Sequence, residues 1–81
     1  MTTIVKLLGA EISIASANTV GNANLVRVFN TGSAAILNVS NTSAIYANCT
    51  VGQYESITIE KATTDTLTGA NMRAAPIAFR N

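Results

Sequence analysis

The stretch Tyr54-Glu55-Ser56-Ile57-Thr58-Ile59-Glu60-Lys61 decides the fold class. Ile57 and Ile59 share one face of an extended chain while Ser56, Thr58 and Glu60 share the other, which is the period of two expected when one face meets a core. This is a strand, and helical spacing is hard to find anywhere else in the chain.

Working outward, Asn24-Leu25-Val26-Arg27-Val28-Phe29-Asn30 sets Leu25, Arg27 and Phe29 against Val26 and Val28. Apolar groups on both faces would suit a central strand whose second face is covered by a neighbouring subunit, but a lone Arg27 laying its stem along the surface is the favoured reading. Asn30-Thr31-Gly32-Ser33 has turn chemistry, and Ala34-Ala35-Ile36-Leu37-Asn38-Val39-Ser40 reads as the return, so residues 24–40 are expected to form a β-hairpin. Ala44-Ile45-Tyr46-Ala47-Asn48 is a shorter strand. Thr50-Val51-Gly52-Gln53 marks a turn in which Gly52 can take a positive φ.

Toward the N-terminus, residues 3–8 and 11–15 form two short strands broken at Gly9-Ala10, followed by a loop over 16–24. Toward the C-terminus, Asp65-Thr66-Leu67 is a short bridge strand and Arg73-Ala74-Ala75-Pro76-Ile77-Ala78-Phe79 is the last strand. Pro76 has no N–H to give a ladder, which puts that strand at a sheet edge or on a bulge. Residues 16–24 and 62–72 are expected to be mobile or to order against a partner. Short strands with turn signals every 8–12 residues predict an all-β fold, a compact antiparallel β-sandwich or small barrel, as a single domain over residues 1–81.

At 81 residues the chain buries a thin core. A domain of this size hides roughly 60–65% of the surface its unfolded form exposes, and small natural domains find help in disulfides, metals or partner subunits. Cys49 is the single cysteine and there is no histidine, so an internal disulfide and the usual Cys/His zinc site are both excluded. Partner subunits are the remaining stabiliser.

Charged residues make up 11% of the chain and hydrophobic ones 48%, so the polarity is mostly threonine, serine and asparagine. Lys6, Arg27, Lys61, Arg73 and Arg80 are scattered and the formal net charge is +1, which makes no nucleic-acid stripe. The N-terminal apolar run is interrupted by Lys6 and is far shorter than a membrane span, and it lacks the pattern of a signal peptide. No membrane partner is expected, and the protein is expected to fold in a cytoplasm. The sequons at Asn38, Asn41 and Asn48 are therefore expected to stay unglycosylated.

No catalytic, cofactor-binding or metal-binding residue is assigned. Without histidine the usual general base and the standard triads are gone. Glu55 and Glu60 differ by an odd number of positions, so on one regular strand they point to opposite faces and make no glycosidase pair. Cys49 has no cation beside it in sequence to stabilise a thiolate, and reads as a small buried hydrophobe. Asp65 among Thr63, Thr64 and Thr66 carries too little charge for a calcium loop and reads as a turn cap. The glycines form no dinucleotide or phosphate-binding pattern. The expectation is a non-enzyme.

The stretches Leu25-Val26-Arg27-Val28-Phe29-Asn30-Thr31-Gly32-Ser33-Ala34-Ala35, Glu55-Ser56-Ile57-Thr58-Ile59-Glu60-Lys61, Thr64-Asp65-Thr66-Leu67 and Pro76-Ile77-Ala78-Phe79 resemble, in this order, small virion proteins of marine tailed phages. The resemblance spans most of residues 24–80. It implies a structural protein of the particle, a capsid decoration or cement protein on the capsid exterior that binds the major capsid protein as a homo-oligomer or on its lattice. Tail, neck or fibre adaptors share the composition. A host-cell module binding protein or carbohydrate is the other alternative, weakened by the lack of tryptophan.

Overall fold

The computed structural model describes residues 4–80 and is all-β, with two antiparallel sheets and no closed barrel. The strands are β1 (Ile4–Leu7), β2 (Ile12–Ser13), β3 (Leu25–Asn30), β4 (Ala35–Ser40), β5 (Ile45–Val51), β6 (Ser56–Glu60), β7 (Thr66–Thr68) and β8 (Met72–Arg80). Thr3, placed by the sequence in the first strand, lies outside the described residues. One sheet runs β1-β8-β3-β6, with β2 also on β8, and the other runs β5-β4-β7. The architecture is that of a small β-sandwich.

The period of two at residues 54–61 becomes β6, where Ile57 and Ile59 are half-buried and Ser56, Thr58 and Glu60 are exposed. In β3, Val26, Val28 and Asn30 are buried. β3 is a central strand between β6 and β8. Together with Ile14, Val20, Leu37, Val51, Leu67, Met72 and Ala74, the two β3 valines form the core.

Residues 24–40 are not a hairpin. β3 belongs to the larger sheet and β4 to the smaller, so Asn30-Thr31-Gly32-Ser33 arches from one layer to the other. Asn30 makes the arch: its Nδ2 donates to the Ser33 carbonyl at 2.9 Å and the Val51 carbonyl at 3.0 Å, while its Oδ1 accepts the Gly32 N–H at 2.9 Å. The true hairpin is one strand later, β4–β5, closed by Asn41, whose Oδ1 accepts the N–H groups of Ser43 and Ala44.

The turn after β5 also differs from expectation. Its positive φ falls on Tyr54, at 60°, and not on Gly52. Tyr54 is held there by its N–H donating to the Asn30 carbonyl, and Glu55 closes the turn by accepting the Gly52 N–H at Oε1.

Pro76 sits inside the sheet, because β8 pairs with β3 on one side and with β1 and β2 on the other. The carbonyl of Pro76 accepts the Leu8 N–H, so its ring nitrogen also faces the β1/β2 side. There the neighbouring chain breaks at Gly9-Ala10, where a Cβ on Gly9 would come within 3.1 Å of the Pro76 ring. The break in the first strand and the proline in the last are one feature.

The segments expected to be mobile or partner-ordered each send residues into the chain's own core. Asn18 and Leu67 exchange both backbone hydrogen bonds, and Leu67 and Val20 are buried. Val20, Gly21 and Asn22 all have φ between 55° and 67°, a tight left-handed turn. A β-branched residue in that region costs about 1–2 kcal/mol. The Asn18 side chain accepts the Val20 N–H at 2.7 Å, and the Val20 side chain gains core burial.

Candidate interface

The sandwich ends in two ribbons whose apolar side chains are uncovered. The first is the β1–β8 pair, where Ile4 is 54%, Val5 42%, Leu7 68%, Leu8 55% and Phe79 46% exposed. Both faces of β1 are open, since alternate residues along it are all exposed. Apolar exposure of this extent on so small a chain makes the ribbon a candidate docking surface.

Leu8 continues from this ribbon into a groove of about 680 Å³ between the Gly9-Ala10 break and the left-handed turn, with Pro76 and Ile77 on one wall and Ala23 and Leu25 on another. Among the described residues no charged side chain lines it. The left-handed turn sets one wall of the groove and the proline-matched break sets the other.

The second ribbon is the β4–β5 hairpin. Leu37 faces Cys49 and Val39 faces Ala47 across the ladder, and directly opposed residues share a face. Leu37 is buried on that face, yet Cys49 and Ala47 are exposed. The covering sheet therefore ends beneath β4, and β5 overhangs it everywhere except at Val51, which is buried and anchored by Asn30. The sequence expectation of a buried Cys49 is corrected: the thiol is exposed.

Two polar clusters accompany these surfaces. On the larger sheet, Glu11 Oε1 accepts a hydrogen bond from Arg73 Nε at 2.9 Å and Glu11 Oε2 lies 3.9 Å from Arg27, whose guanidinium stands 5.7 Å from the Phe29 ring centre. These exposed pairs are worth at most about 1 kcal/mol each. At the edge of the smaller sheet, Asp65 is buried and its carboxylate accepts the Tyr46 hydroxyl, while the neighbouring Lys61 is also buried and donates to the Ala62 carbonyl. Asp65 is thus a side-chain partner, not the backbone cap the sequence suggested.

The Asp65 bond and burial raise the Tyr46 phenol above its ordinary range, and burial lowers the Lys61 ammonium against the opposing pull of Asp65. Neither cluster assembles a nucleophile with a base. Glu55 and Glu60 stay apart in role, Glu55 closing a turn and Glu60 exposed at the end of β6. Among the described residues no group of three His, Cys, Asp or Glu could hold a metal ion, and no helix is long and apolar enough to cross a membrane.

Comparison with protein-family models, curated proteins and solved structures found no match. What the sequence reading missed is the overhang of β5, the Tyr46–Asp65 bond and the role of Asn30. A signal for the first lay in plain sight: between Arg27 and Glu55 the chain carries no charged residue.

Proposed function

We propose that this chain is a phage virion structural protein, a decoration or cement module that docks on the exterior of the capsid and stabilises the shell formed by the major capsid protein. The observation that carries the reading is the β1–β8 ribbon, which leaves Ile4, Leu7, Leu8 and Phe79 exposed beside an uncharged groove. An edge strand next to a groove fits an extended capsid segment, which would add to β1 by backbone hydrogen bonds and seat side chains in the groove. The order of the motifs from Leu25 to Phe79 supports the virion setting by resemblance.

A small domain that binds a repeating lattice only when folded gains stability by mass action, and each copy adds an equivalent clamp to the shell. The role is binding, with no catalytic step. The test is cosedimentation of the purified protein with undecorated capsids. Saturation at a fixed number of copies per capsid subunit, with a higher capsid melting temperature, is the expected result. Intact capsids that take up none, or particle labelling that places the protein on tail, neck or fibre, would reject the capsid assignment.

A further inference from the structure

The longest unpaired strand edge among the described residues belongs to β5, which runs for 7 residues from Ile45 to Val51. One side of it is hydrogen-bonded to β4 and the other has no strand beside it among the described residues. Such an edge is a row of backbone donors and acceptors open to another chain, and proteins usually guard it with charge, proline or a bulge. β1 carries Lys6 in its middle and β6 carries Glu60. β5 has neither charge nor proline, and its bulge at Tyr46 lies at the hairpin end, leaving Ala47–Val51 in regular register.

We propose that β5 pairs antiparallel with β5 of a second copy of this chain, joining the two smaller sheets into one continuous sheet. The occupant follows from charge. When identical edges pair about a two-fold axis, any charge near the centre faces its own like, which is unfavourable across a ladder. Lys6 therefore works against self-pairing of β1, while β6 offers an edge of only 5 residues with Glu60 at its end. β5 sits within a stretch from Val28 to Tyr54 that has no charge at all, so a copy of itself meets no repulsion. A strongly charged foreign segment, in contrast, finds no opposite charge there to read.

The side chains agree. Ala47, Asn48, Cys49 and Thr50 are small and exposed, on both faces, so a second strand can approach without displacing core residues. The core stops beneath β4, and the pairing requires no unfolding of the chain. This surface lies on the smaller sheet, apart from the β1–β8 ribbon, and the inference does not rest on capsid docking.

The experiment uses the free full-length protein. Its mass by sedimentation equilibrium is expected to rise to two chains with concentration, while amide hydrogen exchange slows across residues 45–51 and not across β1. Asn48→Lys and Thr50→Lys place like charges at the pair and should raise the dimer dissociation constant about tenfold or more. Both positions are exposed, so circular dichroism and melting of the diluted variants should match the wild type. A single-chain mass up to about 1 mM overturns the proposal. A dimer whose β5 amides stay unprotected overturns it as well, and this readout needs no variant.

Discussion

The Tyr46 hydroxyl donates a hydrogen bond to the Asp65 carboxylate across strand β4, tying the overhanging edge of the smaller sheet to the chain entering β7. The reach is made by a bulge. Val39 pairs with Ala47 and Ser40 with Ile45, which leaves Tyr46 as the extra residue and turns its ring toward Asp65. Although more than half of Tyr46 is exposed, its hydroxyl is committed, and the buried carboxylate depends on it.

Tyr46→Phe should therefore lower the melting temperature at neutral pH. The phenol's titration is raised above its ordinary 10.0, chiefly by the Asp65 bond, with burial and the Asp65 charge acting in the same sense. The protonated phenol is the favoured form, so its contribution is whole below about pH 10 and fades as pH climbs through the raised value. Lys61 runs the other way: its titration is lowered by burial, so the penalty on its charged form is relieved as pH rises toward 10.5. Lys61 is present in both proteins, and its trend largely cancels in the difference between them. Thermal melts across the alkaline range should show the gap between wild type and variant closing above pH 10, and a gap that stays constant would separate Tyr46 from that titration.

Asn30→Ala should cost about 2–4 kcal/mol, because it strips partners from the Ser33 and Val51 carbonyls and the Gly32 N–H at a fully buried position. Asn30→Asp is expected to be no better, since a carboxylate cannot donate to either carbonyl. Urea unfolding measures both, and a loss under about 0.5 kcal/mol would mean that the arch closes without this side chain.

How far the sequence reaches is clearest at these positions. The alternation of Ile57 and Ile59 is local, and it gave β6 and the sandwich class directly. Asn30-Thr31-Gly32-Ser33 has the chemistry of a reversal, but hairpin and arch differ in which strands pair, and the partners of β3 are the remote β6 and β8. Pro76 looked like an edge residue because its match, the Gly9-Ala10 break, lies at the other end of the chain. Cys49 points to the same face as Leu37 by pattern, yet burial depends on how wide the opposite sheet is, which no run of residues in β5 encodes. The exposed ribbon was readable as a strand, while its lack of a neighbour was not.

Leu67 joins the two halves of the core, fully buried while its backbone pairs with Asn18 and its strand pairs with β4. Leu67→Ala should cost about 2–5 kcal/mol. That is a large share of the roughly 5–15 kcal/mol available to a domain, so the variant should unfold at a clearly lower denaturant concentration than the wild type. Ile57→Val, at a half-buried site in an edge strand, should cost no more than about 1.5 kcal/mol. Denaturant midpoints that rank the two in the reverse order would misplace the core.

Leu7→Ser and Phe79→Ser separate folding from docking. Their exposures of 68% and 46% leave little apolar contact to lose within the chain. Stability should shift by no more than about 0.5 kcal/mol for Leu7→Ser and somewhat more for Phe79→Ser, whose ring keeps some cover. On capsids the same side chains would be buried, and removing an anchor from the centre of an interface typically costs 2 kcal/mol or more, about thirtyfold in affinity. Cosedimentation should fall accordingly for each variant while Asn48→Lys, on the other ribbon, leaves the intrinsic affinity of a single chain unchanged. If Leu7→Ser binds capsids as tightly as the wild type, the β1–β8 ribbon is not the docking surface, whatever the melting curves show.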